Sequence, residues 1–355
     1  MQTMADLLSR IPALDIALEE QRIAVRDVYR HAEAIMRVDQ SVPAQFRVAL
    51  EPMPEHALTL YNNMISTPFL AVLQPLGVAP ARRMLYGRLN HLFRTWVTCA
   101  DNLLDGEEKV TFGLRMPGRA PVMRQVVVLM LADRILQRVL ADAEDSGVLS
   151  REESRILADE TLRILLPSAA EEAFEEGGLR EWPAPDYVLE QLHPLKTGIL
   201  FRIPFLGPEK IERNMDPVVL GRLRAALQDY GIGCQMIDDV RDLARDFLQR
   251  RANYLIALLA HGQSADADLV QLAQVTSDGD LDKRLDAYFP DEVTQVLEGA
   301  VLRLRRGFRE LDTLGLTGYA ACTDGFIAVL MARMDLAHLI PRFVAQHGSL
   351  GGKGG

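Results

Sequence analysis

The chain has 355 residues, 48% hydrophobic and 25% charged, a balance that suits a folded globular protein and excludes disordered or low-complexity classes. Its 49 acids outnumber 39 Lys and Arg, for a net charge of −10, and no basic patch is dense enough to follow a phosphate backbone. Nucleic acid is therefore excluded as the expected partner, and an anionic ligand must be met by local cations or metal ions.

Apolar residues recur at three and four positions from the first segment onward, as in DLLSRIPALDIALEEQRIAVRDVYRHAEAIMRV, and no alternating strand pattern survives between turn signals. The class read from this is all-α. In chain order the periodicity predicts helices over 13–38, 54–76, 80–105, 120–144, 150–175, 185–203, 216–248, 252–261, 265–275, 289–311 and 322–345. Breaks are expected at Pro43, Pro52 and Pro54, at Gly77 to Pro80, Gly113 to Pro121, Gly177 to Pro185 and Gly207 to Pro217. No linker composition or solenoid repeat divides the chain, so residues 1–345 read as a single helical domain followed by a mobile Gly-rich tail over 346–355. Cys99, Cys234 and Cys322 are isolated from one another, which points to a reducing, cytoplasmic setting and no zinc site. The longest clean apolar run, VVVLMLA, is too short to span a bilayer, so no stable membrane insertion is expected.

Two acidic stretches carry the chemistry. DNLLDGEEK places Asp101 and Asp105 one helical turn apart, about 40° around the axis, where the negative end of the helix dipole disfavours them. In GIGCQMIDDVRDLARD, Asp238, Asp242 and Asp246 form a stripe that drifts only about 80° while climbing about 12 Å, with Asp239 beside it. Either stretch alone reads as a solvated face. Each, however, follows an apolar helix, and metal binding accounts for both. Only oxygen ligands are offered, which suits a hard cation such as Mg²⁺ that keeps water and bridges to substrate phosphates. A third stretch, HPLKTGILFRIPF, sets Lys196 and Thr197 beside Gly198, where a helix distortion can aim both at a phosphate.

DNLLD, KTGILF and QMIDDVRD, in this order, resemble the class I isoprenoid synthase superfamily, most closely its trans-isoprenyl diphosphate synthase branch. Gln235 precedes Asp238 by three residues and Lys196 precedes it by 42, as in that family. The likeness runs over about 55–262 and implies an all-α bundle around a cavity, three Mg²⁺ ions, an allylic prenyl diphosphate as substrate and a homodimer. It implies Asp101, Asp105, Asp238 and Asp242 as metal ligands, with Asp101, Asp105, Asp238 and Lys196 essential to turnover. Thr197, Gln235, Asp239, Asp246, Arg250 and Arg251 would contact the diphosphate or its shell. Asp246 occupies the place of the last acid in the metal triad of terpene cyclases. Trp96, five residues before Asp101, stands where the family sets pocket depth.

The resemblance breaks where elongating members hold isopentenyl diphosphate. Their GGKRxRP motif falls on NNMISTP, with Met64, Ile65 and Thr67 at the cationic positions, and the later RRG stretch falls on VTFGLRMPGRAP, which offers Arg115 and Arg119 only. The first acidic motif reads DN, with the neutral Asn102. A buried anion without its cations is costly to hold. The expectation is therefore a terpene synthase on a prenyl-synthase frame, with a short-chain prenyl diphosphate synthase as the alternative. A non-catalytic partner subunit of a prenyl synthase ranks below both, because the acidic motifs are kept.

Overall fold

The computed structural model describes residues 10–37, 40–64 and 66–340; the ends of the first and last expected helices and the Gly-rich tail lie outside them. In chain order the main helices are α1 (Pro12–Ile35), α2 (Ser66–Leu73), α3 (Pro80–Asp105), α4 (Pro121–Asp145), α5 (Arg151–Arg163), α6 (Leu166–Glu175), α7 (Pro185–Tyr187), α8 (His193–Lys196) and α9 (Gly198–Arg202). They continue with α10 (Leu206–Ile211), α11 (Pro217–Arg241), α12 (Leu243–Gln249), α13 (Tyr254–His261), α14 (Ala265–Val275), α15 (Pro290–Thr313) and α16 (Tyr319–Arg333). The fold is all-α. Among the described residues the only strands are β1 (Ala49–Leu50) and β2 (Leu114–Arg115), paired antiparallel with Leu50 opposite Leu114. No described helix is long and apolar enough to cross a membrane.

Local chemistry explains the boundaries. Proline opens α1, α3, α4 and α15 in the first turn, where its missing N–H costs nothing. Ser150 and Glu153 close a reciprocal capping box on α5. Gly106, at φ 67°, ends α3 directly after Asp105.

Five expected helices are interrupted: that over 185–203 changes to a π turn and stops at Thr197, that over 322–345 stops after Arg333, and three others break within their span. Over 54–76 only α2 is α-helical, preceded by short 3₁₀ turns, because Asn62 and Asn63 donate their amides to the carbonyls of His56, Ala57 and Thr59 and compete with the helix ladder. The helix expected over 150–175 parts before Pro167, which has no N–H to continue it. The one over 216–248 parts at Asp242. There the Asn253 amide donates to the Asp239 carbonyl at 2.8 Å, an acceptor that a regular helix would offer to Leu243. Helix α10 falls within a stretch expected to be broken throughout.

The described residues form two compact units, one within 11–166 and 202–220 and one within 167–201 and 221–340. In the first, α3 packs on α1 and α4, and α1 covers α2, around buried Leu14, Val25, Leu70, Leu85 and Leu136. Charge pairs seat the helices on one another: Arg83 grips Glu20 through two nitrogens, and Arg82 lies between Glu153 at 2.9 Å and Glu212 at 3.4 Å. In the second, an aromatic chain forms the core, with Phe201, Tyr230, Phe308 and Phe326 in succession at ring separations of 5.7, 5.4 and 5.0 Å. Phe201 and Tyr230 are each 1% exposed within this packing. A Cβ on Gly231 would come within 2.3 Å of the Phe201 ring. Gly231→Ala is expected to destabilise the protein by about 1–3 kcal/mol through overpacking, read as a lower urea midpoint at unchanged slope.

Candidate active site

Pro194 has no N–H for the carbonyl four residues back, and the helix leading to Lys196 absorbs the defect as a π turn over Val188–Leu192, with the His193 N–H reaching the carbonyl of Val188. Regular helix then stops at Lys196, leaving Thr197 between α8 and α9. This is the distortion expected at KTG.

Thr197 is tied to the second acidic helix. Its hydroxyl donates to the Gln235 side-chain oxygen, and the Gln235 amide donates to Asp239 Oδ1 at 2.9 Å. Asp239 is wholly buried, and its Oδ2 accepts the Tyr254 N–H at 2.7 Å and lies 3.0 Å from His193 Nε2. Burial alone would raise the Asp239 pKa; His193, Gln235 and the Tyr254 N–H together hold it below the ordinary carboxylate value. Asn253 caps α13 through the Ile256 N–H and donates to both the Asp239 carbonyl and Asp246 Oδ2, each at 2.8 Å. Burial pushes the Asp246 carboxyl well above its usual range, against the pull of Lys196 and Asn253.

The acids of this motif therefore divide. Asp239 turns inward and joins α8, α11 and α13. Asp238 and Asp242 keep 35% and 21% of their side chains exposed and flank Arg241 at 3.7 Å each. Backbone hydrogen bonds from Asp242 to Asp238 and from Asp246 to Asp242 run through the helix break, so the one-turn spacing survives. Among the described residues no three His, Cys, Asp or Glu side chains gather as a preformed metal cluster. The pair nevertheless fits Mg²⁺, which takes one or two protein carboxylates and completes its shell with water and phosphate.

Lys196 lies 3.1 Å from Glu175 Oε2. Burial draws its pKa down, but Glu175, Asp246, Glu171 and Glu172 outweigh that and push it above the lysine range. The sequence reading missed the glutamates of α6, whose signal was the one-turn spacing of Glu171 and Glu175 in EEAFE. Arg251 lies 3.6 Å from Glu172. Arg250, expected at the diphosphate, donates instead to the carbonyls of Leu179 and Arg180 and lies 4.6 Å above the Trp182 ring. Its left-handed φ of 55° ends α12.

Asp101, Asp105 and Trp96 belong to the other unit. Both aspartates are partly exposed on the last turn of α3, and Trp96 meets Phe93 edge to face at 5.6 Å. The following glutamates find cations nearby in sequence: Glu107 pairs with Lys109 at 2.5 Å and Glu108 with Arg119 at 2.7 Å. Asn102 is 3% exposed; its amide nitrogen donates to the Lys109 carbonyl at 2.7 Å, and its oxygen accepts the Lys109 N–H at 3.1 Å. An aspartate cannot make both bonds. In NNMISTP, Met64 and Thr67 are buried and Asn62 and Asn63 are engaged with backbone, while Arg94 of α3 donates to the Asn62 carbonyl.

No protein-family model matches the chain, and no curated protein matches it. Solved structures do. The decaprenyl diphosphate synthase of Rhodobacter capsulatus superposes with a TM-score of 0.57 at 15% identity, over 89% of this chain and 99% of that one. The geranylgeranyl pyrophosphate synthetase of Geoglobus acetivorans gives 0.53 at 13%, over 91% and 98%, and a polyprenyl synthetase of Streptomyces coelicolor A3(2) gives 0.53 at 16%, over 91% and 99%.

Two substitutions test the assignments. Asn102→Asp is expected to cost about 1–3 kcal/mol, because the Lys109 carbonyl loses its donor and meets a carboxylate; a denaturant titration measures it. Asp239→Ala is expected to cost about 3 kcal/mol or more by stranding the Tyr254 N–H and the Gln235 amide. With a depressed folded pKa, Asp239 contributes stability above about pH 3.9 that is lost as the pH falls through the folded value. The variant should therefore lack part of the acid limb in a plot of stability against pH.

Proposed function

The chain has the all-α fold of the trans-isoprenyl diphosphate synthases, and we propose that it ionises an allylic prenyl diphosphate of geranyl or farnesyl size with Mg²⁺ and cyclises or rearranges the resulting cation to a terpene. The observation that carries this reading is the chain from Thr197 through Gln235 to Asp239, which fixes the Lys196 break against the helix bearing Asp238 and Asp242. A helix break, a cation and a partly exposed carboxylate pair are thereby held by one buried network. Prenyl diphosphate synthases with the same fold support the substrate class.

In this reading Asp101 and Asp105, and Asp238 and Asp242, would hold the metal ions, whose charge would stabilise the departing diphosphate. Lys196 offers its ammonium to the diphosphate oxygens as the allylic C–O bond breaks and the electron pair leaves with the phosphate. Thr197 and Gln235 orient that end of the site. Asp239 and Arg250 hold the surrounding backbone and do not touch the diphosphate. Loss of a proton from the cation, or capture of water, ends the reaction. A second copy of the chain is the partner this reading includes.

One observation favours the alternative, chain elongation with isopentenyl diphosphate. Arg94 reaches the stretch in which elongating enzymes carry their cations, so a rebuilt second anion site has one guanidinium to start from. The neutral, buried character of Met64 and Thr67 weighs against it.

Purified protein with Mg²⁺ and geranyl or farnesyl diphosphate alone is expected to release inorganic diphosphate and a volatile hydrocarbon or alcohol. Turnover that requires isopentenyl diphosphate and yields a longer diphosphate would establish elongation instead. Asp101→Ala and Asp238→Ala are each expected to lower turnover by three orders of magnitude or more, about 4 kcal/mol of transition-state stabilisation, with an unchanged circular dichroism spectrum.

A further inference from the structure

Glu171 and Glu175 stand one turn apart on α6 and both are buried, at 4% and 0% exposure. Glu175 Oε2 meets Lys196, but Glu175 Oε1 and both carboxyl oxygens of Glu171 have no hydrogen-bond partner. Buried acceptors of this kind demand donors, and two buried carboxylates side by side cannot both stay ionised. One proton answers both demands.

We propose that Glu171 and Glu175 form a carboxyl–carboxylate dyad that holds one proton between them and so keeps the acidic wall beside Lys196 at a single negative charge. The role given to the dyad rests on the reading that Lys196 receives a diphosphate. Lys196 faces Glu175, Asp246, Glu171 and Glu172, and Glu172 has its own cation in Arg251. With every acid ionised the surroundings of Lys196 would repel an incoming anion; with one proton on the dyad, and burial driving Asp246 toward its neutral form, Glu175 balances Lys196 and the approach of phosphate carries no further penalty. The groups facing Glu171 agree in sense: burial first, then Glu175 and Glu172, push its carboxyl up against the pull of Lys196, to about 9. Glu171 is thus a positioning residue that acts through Glu175 on the lysine.

The proton and its role can be tested separately. On the acid side of pH 9 the infrared difference spectrum of wild type minus Glu171→Gln should contain a protonated-carboxyl band, which leaves out the contribution of Asp246 common to both. Affinity for Mg²⁺ with inorganic diphosphate, measured by calorimetry, should fall by up to about tenfold per pH unit on the alkaline side in the wild type. In Glu171→Gln, whose amide supplies the hydrogen bond without titrating, it should stay flat. Absence of the band from that difference overturns the dyad, as its absence from the wild-type spectrum does whether or not the variant folds. An unchanged alkaline limb in Glu171→Gln overturns the influence of the dyad on the lysine. If the band is present but Mg²⁺ and diphosphate bind at no pH, the diphosphate reading of Lys196 fails and the role of the dyad fails with it.

Discussion

A carboxylate buried without solvent has to be surrounded by donors, and Asp239 is the residue on which this requirement falls. It meets it with a side-chain amide from its own helix, the imidazole of His193 and the first N–H of α13. Each donor comes from an element with its own bearing on the site: Gln235 also receives the Thr197 hydroxyl, His193 begins the helix that ends at Lys196, and α13 is capped by the same Asn253 that reaches Asp246. One unexposed charge thereby sets the relative placement of the lysine, the amide and the acid stripe. Adjacent positions in the DD pair thus part company, Asp238 staying partly exposed and Asp239 turning into the structure.

The class of fold was legible because helical periodicity survives in nearly every segment and proline and glycine mark the ends. Helix α3, with Pro80 in its first turn and Gly106 after its last, was read to the residue. What escaped were interruptions caused by side chains acting at a distance. The break at Asp242 depends on Asn253, eleven positions later, and local pattern carries no trace of that contact. The 3₁₀ turns before α2 depend on asparagine amides finding particular carbonyls, a competition that apolar spacing does not express.

The site was legible to the extent that residue type and spacing imply it. Asp238 and Asp242 keep the one-turn spacing read from the sequence and stay partly exposed, and the break at KTG follows from Pro194 and Gly198 in the sequence itself. The division of labour among charges was not legible. Arg250 and Asp239 carry the charges that make them candidates for the diphosphate, yet their hydrogen bonds go to carbonyls and to a helix start. The glutamates of α6 look like an ordinary solvated run on paper and are buried against a lysine in the fold. Burial, which decides between these roles, belongs to the tertiary structure.

Asn102 has a consequence for substitution. Its amide reads the backbone of Lys109 in both directions, so the loop after α3 and the identity of this residue are now interdependent. An aspartate here would leave the Lys109 carbonyl without its donor, so a second acid at this place also calls for a loop that turns that carbonyl toward solvent. The charge of the first acidic motif is thus set by the path of the loop as much as by the helix.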